Sequence, residues 1–263
     1  MKNFAKVAAV GLVVGACFSA QAGILIDDFN TELQVITDNV TDADGIWSHS
    51  GFSTSIIGGY RDIFAMKLGD IGSDPDTGVT MYAGKVSGVL SFSTADGDNA
   101  TGIVRWDGSN IGTAINTTGL GSVNLNVGAN SFKIKVKNSD LGFPFALEAY
   151  TDATHWSQLI VKSDAVKDYV PDTSPIMFSD FLSATQVTNL VLGTGAILTT
   201  GTNGGVDFNN VGALQAIINL GGMTQAVDLS IDLVNTTPEP ASLALVGAAL
   251  LGMGAARRRK SVK

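Results

Sequence analysis

The chain has 263 residues, with 24 acidic against 16 basic side chains, a net charge of −8, two histidines and one cysteine. An acidic surface repels nucleic acid and anionic lipid headgroups, and a lone cysteine forms no intrachain disulfide. Stability must come from core burial, and a chain of this size can hide about 70% of its unfolded surface.

The first element is a secretory signal. Lys2 and Lys6 precede an apolar stretch from Val7 to Phe18, and Ala20-Gln21-Ala22 supplies the small-x-small site that signal peptidase requires. Residues 1–22 are thus expected to leave, with the mature chain starting at Gly23. Val14-Gly15-Ala16-Cys17 is a loose lipobox, but it lacks the usual leucine and would shorten the apolar core, so the cut after Ala22 is preferred. Cys17 departs with the signal peptide. Residues 23–237 then hold 9 basic and 23 acidic side chains, a net charge of −14, and no thiol nucleophile.

Period-2 patterns dominate residues 23–237. Predicted strands run over Ile24 to Phe29, Arg61 to Leu68, Val86 to Phe92, Gly102 to Trp106, Ser122 to Val127, Phe132 to Lys137, Phe143 to Tyr150, Trp156 to Val161, Leu214 to Leu220 and Val227 to Leu233. In Phe132-Lys133-Ile134-Lys135-Val136-Lys137 every apolar residue faces one way and every lysine the other. Asp96-Gly97-Asp98-Asn99, Asp107-Gly108-Ser109-Asn110 and Asn203-Gly204-Gly205 are turn chemistries that tolerate positive φ. Short strands between Gly/Asp turns, with no sustained helical period and no fixed repeat, predict an all-β fold, a single antiparallel β-sandwich.

Leu25-Ile26-Asp27-Asp28-Phe29 and the later Asp207-Phe208-Asn209-Asn210-Val211-Gly212-Ala213-Leu214-Gln215 resemble the first and penultimate strands of jelly-roll sandwiches related to carbohydrate-binding modules. The resemblance implies a jelly-roll-like body. It bears on fold more than on sugar binding.

Chemistry-bearing motifs are sparse. Gly78 to Lys85 has five residues between its glycines and Val86 where a phosphate loop needs Ser/Thr, and no Gly-x-Ser-x-Gly elbow occurs. His49 and His155 lack metal-ligand partners at helical or hairpin spacing. Glu148 lies inside the strand Phe145 to Tyr150, opposite Phe145, Leu147 and Ala149, and is read as a wet-face residue. Asp42-Ala43-Asp44-Gly45 and Asp74-Pro75-Asp76-Thr77-Gly78 could hold a structural Ca²⁺, but neither completes an EF-hand loop, so solvated turns are expected and no cofactor is assigned. Among Trp47, Trp106, Trp156, Tyr60 and Tyr150, Trp47 lies in a Gly/Ser-rich stretch and is the residue to weigh for sugar stacking.

The last element, residues 238–263, has three parts. Pro238-Glu239-Pro240 cannot enter a helix or central strand. The uncharged apolar run Ala241 to Ala256 would span about 24 Å as a helix, a short but sufficient single transmembrane helix against a hydrocarbon layer of about 30 Å. Arg257-Arg258-Arg259-Lys260 would stay cytoplasmic as a basic stop-transfer cluster. In order, spacing and position these parts resemble the PEP-CTERM sorting domain. That resemblance implies export from a Gram-negative bacterium, a transient inner-membrane intermediate, cleavage near Pro238 by an exosortase, and delivery to the cell surface or extracellular matrix.

The expected protein is an exosortase-sorted, non-catalytic structural or adhesive component of the surface or exopolysaccharide matrix. Its expected partners are signal peptidase, exosortase and exopolysaccharide, with no nucleic acid. A secreted carbohydrate-binding module is the alternative, and a glycosidase or lyase acting on exopolysaccharide comes third.

Overall fold

Phe132 and Ile134 are buried while Lys133 and Lys135 are half-buried on the opposite face, so the side-chain alternation read from the sequence builds a strand here. The computed structural model describes residues 23–70, 77–85, 88–162, 175–182 and 197–237. The signal peptide with Ala20 and Ala22, the motif Pro238-Glu239-Pro240, the run 241–256, the basic cluster Arg257 to Lys260, and Asp74 and Asp76 lie outside the described residues.

Fourteen strands are described: β1 (Leu25–Asp27), β2 (Gln34–Asp38), β3 (Ile46–His49), β4 (Asp62–Asp70), β5 (Val79–Gly84), β6 (Val89–Thr94), β7 (Asp98–Trp106), β8 (Ser131–Ser139), β9 (Pro144–Tyr150), β10 (Trp156–Lys162), β11 (Ile176–Met177), β12 (Ile197–Thr200), β13 (Ala213–Ile218) and β14 (Asp228–Thr237). They form two antiparallel sheets. The first has the order β11-β8-β14-β6-β5-β2, with β1 also on β14, and the second has β12-β10-β9-β13-β7-β4-β3. Among the described residues no helix is long and apolar enough to cross a membrane.

The core lies between the sheets. Phe132, Phe178, Phe181 and Phe208 pack mutually, with the Phe178 and Phe208 rings stacked 4.2 Å apart. In β7, a Cβ on Gly102 would come within 2.7 Å of the Phe92 ring from the opposing sheet. Only glycine lets the sheets approach there.

A buried ion pair sits near the start of the chain. Arg61 and Asp27 are both fully buried. Arg61 donates from Nη1 to both Asp27 oxygens at 3.1 and 3.0 Å and from Nε to Gln34 Oε1 at 2.8 Å. Its Nη2 reaches Thr31 Oγ1 and the Ala83 carbonyl at 3.2 and 3.4 Å. Asp27 also accepts from Trp106 Nε1 at 2.9 Å and from the Phe29 N–H at 2.8 Å. Burial pushes the Asp27 carboxyl up, against the pull of Arg61, Trp106 and Phe29.

β14 is the strand on which the two ends of residues 23–237 meet. β8 pairs along one edge of it, and β6 followed by β1 pairs along the other. Just beyond β1, Ile24 donates to Thr236 Oγ1 at 2.8 Å and accepts from the Thr236 N–H at 2.9 Å. Thr237 is held from the other side by Asn130 N–H and the Ser131 hydroxyl. A Cβ on Gly23 would overlap the Thr236 carbonyl oxygen.

Several sequence expectations change. Ser122 to Val127 is not a strand: Ser122 has φ 64°, and the segment contributes one isolated bridge, Val123 to Val211. Asp98 and Asn99, read as turn residues, open β7. The predicted strands missed β2, β3, β5, β11 and β12. In β2 the buried side is Gln34, Ile36 and Asp38, because Gln34 binds Arg61 and Asp38 accepts the Lys67 N–H, while Val35 is exposed.

Ile134→Asp should cost several kcal/mol by burying an unpaired charge. Lys135 donates to Asp232 at 2.6 Å on a half-exposed face, so Lys135→Asp should cost about 1 kcal/mol through lost pairing and like-charge contact. Urea midpoints decide the matter, and equal losses would contradict the facing of β8.

Candidate functional site

In β9 Phe145, Leu147 and Ala149 face the core, which leaves Ala146, Glu148 and Tyr150 on the outer face of the second sheet. Strand register extends this face sideways. Gln158 on β10, Glu148 on β9, Gln215 on β13, Arg105 on β7, Asp62 on β4 and His49 on β3 are successive cross-strand partners. Six polar side chains therefore form a row across six strands, about 24 Å long at the usual strand spacing.

The row is hydrogen-bonded along its length. Glu148 Oε1 accepts from Gln158 Nε2 at 2.5 Å, and Oε2 accepts from Gln215 Nε2 at 2.8 Å and the Tyr150 hydroxyl at 2.7 Å. Arg105 donates from Nε to Gln215 Oε1 at 2.8 Å and from Nη1 to the Thr113 carbonyl at 3.1 Å. His49 Nδ1 and Asp62 Oδ1 are 2.8 Å apart. Glu148, Gln215, Arg105 and Asp62 are buried.

An apolar row runs beside the polar one: Ile160, Ala146, Ile217, Ile103, Phe64 and Trp47 are cross-strand partners in turn. The Trp47 ring packs against Phe64 at 4.7 Å and lies 4.4 Å from the Arg105 guanidinium. On the other flank Trp156 pairs with Tyr150, ring centroids 5.9 Å apart.

Burial governs the charges. It lowers the affinity of Arg105 for its proton, opposed chiefly by Asp107 and Asp62. It raises the Asp62 carboxyl against the His49 hydrogen bond, and raises the Tyr150 hydroxyl with help from Glu148. Tyr150 therefore stays a proton donor to Glu148.

Trp47, weighed for sugar contact, is half-buried on this face at the edge strand β3. Trp106 is buried on Asp27, and Trp156 is half-buried. Glu148 faces outward as expected but is 7% exposed, because three donors and their neighbours enclose it. Asp42 spends Oδ1 on the Asp44 N–H at 2.9 Å, and His155 pairs with Asp152 in its own turn at 2.9 Å. Among the described residues no group of three His, Cys, Asp or Glu side chains could hold a metal ion.

Sequence reasoning did not single out Arg105, Gln158, Gln215 or Asp62. A signal existed for three of them: Ile103-Val104-Arg105-Trp106, Ser157-Gln158-Leu159-Ile160 and Leu214-Gln215-Ala216-Ile217 each set one long polar residue inside a mostly apolar strand, as Leu147-Glu148-Ala149 does. Phe52, 69% exposed beside Tyr60, was also missed.

Glu148→Gln turns an acceptor of three hydrogen bonds into a side chain with its own donors, so it should cost about 1–3 kcal/mol. An unchanged urea midpoint would contradict the network. A chelator should leave the melting temperature unchanged, and a drop restored by Ca²⁺ would reveal a structural ion.

No curated protein matches this chain. Residues 236–260 match the PEP-CTERM protein-sorting motif, and the match begins at Thr236, inside β14. The chain is therefore an all-β sandwich that carries a PEP-CTERM sorting signal, the signal of exported proteins sorted by an exosortase to the cell surface or beyond.

Proposed function

We propose that the protein is a non-catalytic structural or adhesive component of the cell surface or exopolysaccharide matrix, reached through an inner-membrane intermediate that exosortase cuts near Pro238. The match at residues 236–260 supports the sorting part of this reading. Its start within β14 leaves no linker between sandwich and signal, so the folded body would be released or transferred whole.

Against an enzyme stand the positions of the acids. Glu148 and Asp62 are three strand steps apart, about 14 Å, whereas glycoside hydrolysis uses carboxyls no more than about 10 Å apart. Asp107 spends Oδ1 on the Ser109 N–H and Oδ2 on the Asn116 N–H. The second reading, a secreted carbohydrate-binding module, is favoured by Trp47 and Trp156 half-buried on one sheet face.

Mass spectrometry of the surface form should find a chain starting at Gly23 and ending before Ala241. Replacing Pro238-Glu239-Pro240 by three alanines should leave a longer, membrane-held form. Arg257 to Lys260 still attached to extracellular protein would defeat the proposal.

A further inference from the structure

The polar row on the second sheet is locked by its own contacts, yet it keeps unused hydrogen-bonding atoms. Arg105 is fixed through Nε, Nη1 and the Trp47 ring, but its Nη2 makes no hydrogen bond among the described residues. The same holds for His49 Nε2, whose partner Asp62 engages Nδ1, and for Gln158 Oε1, whose amide nitrogen is spent on Glu148. His49 is 29% exposed and Gln158 half-buried, so both reach solvent. Internal pairing thus fixes the orientation of planar groups and leaves free atoms on separate strands.

Half-buried indoles flank the row diagonally. Trp47 belongs to the apolar row at the β3 edge, and Trp156 stands on the opposite flank at β10, five strand steps away or about 24 Å. Apolar ring faces beside fixed planar donors and acceptors match the two surfaces of a sugar ring, its C–H face and its equatorial hydroxyls. The length suits several linked rings rather than one.

Charge selects among glycans. Arg105 is the one permanent cation in the row and is surrounded electrostatically by Asp107, Asp62 and Glu148. The row sets two carboxylates, Glu148 and Asp62, against that one cation, which disfavours a polyanion. We infer that the outer face of the second sheet, from Trp47 across Arg105 and Gln158 to Trp156, is a binding face for an extended neutral glycan chain. This rests on the carbohydrate-binding reading above and gives it a ligand class.

The test is affinity electrophoresis of the full chain in mild non-ionic detergent, through gels containing barley β-glucan, xylan, galactomannan or, as polyanion, alginate. At least one neutral polymer should retard the protein and alginate should not. Trp47→Ala and Trp156→Ala should each weaken that retardation about tenfold, with some loss of melting temperature because each ring packs on its neighbours. Light scattering accompanies each variant. His49→Ala, at a partly exposed edge position, provides a second probe should either tryptophan variant fail to fold, and should weaken binding less. No retardation by any neutral polymer, stronger retardation by alginate, wild-type affinity in all the folded variants, or a tryptophan-dependent dimer in place of glycan binding would overturn the inference. Processing is scored separately by the mass of the surface form, so lost glycan binding with intact cleavage strikes this inference alone, and the reverse result strikes the sorting proposal.

Discussion

The Arg61–Asp27 pair is the contact on which the sandwich depends. Two opposite charges removed from water are costly, and leaving either one alone costs about 3–5 kcal/mol. The surroundings answer that cost bond by bond: Arg61 reaches Asp27, Gln34, Thr31 and the Ala83 carbonyl, while Asp27 also receives Trp106 and Phe29. These partners come from β1, β2, β5, β7 and the β1–β2 turn, with the β7 contact made through Asp27, so the ion pair ties both sheets at the same point. Phe29 adopts φ 52°, and its ring lies 5.4 Å from the same guanidinium. Replacement by apolar residues could conserve stability, but a hydrophobic contact would not specify one seating for the first strand.

From that seat the dependence runs to the sorting signal. Asp27 ends β1, β1 pairs with β14, and Ile24 brackets Thr236, the first residue of the matched motif. Thr237 is held from the other edge by β8. The two ends of residues 23–237 therefore close on one strand pairing, and the first two residues of the matched motif belong to it. Folding of the sandwich and presentation of the motif are thus properties of the same β-ladder.

Much of this was legible in the residues. The sorting signal was plain because its three parts follow separate physical rules in sequence order. β8, β10 and β14 were legible because they bury one side and show it at period 2, and β9 and β13 because they are largely apolar runs buried on both sides. β2 was not, since it buries Gln34 and Asp38 and exposes Val35, inverting the pattern for the sake of Arg61 and Lys67. The row on the second sheet was hidden for a different reason. Gln158, Glu148, Gln215 and Arg105 lie far apart in the chain, and only strand order and register bring them into line.

Hydrogen exchange at the Ile24 and Thr236 amides tests this dependence most directly. Both should be protected in the folded protein to the level of neighbouring β14 amides, and in Arg61→Met both should lose protection while the β9–β13 ladder, from Phe145 to Tyr150, keeps it. Exchange of Ile24 and Thr236 at free-peptide rates in the wild type, or their full protection in Arg61→Met, would contradict a sandwich closed from Arg61 through β1 to the sorting signal.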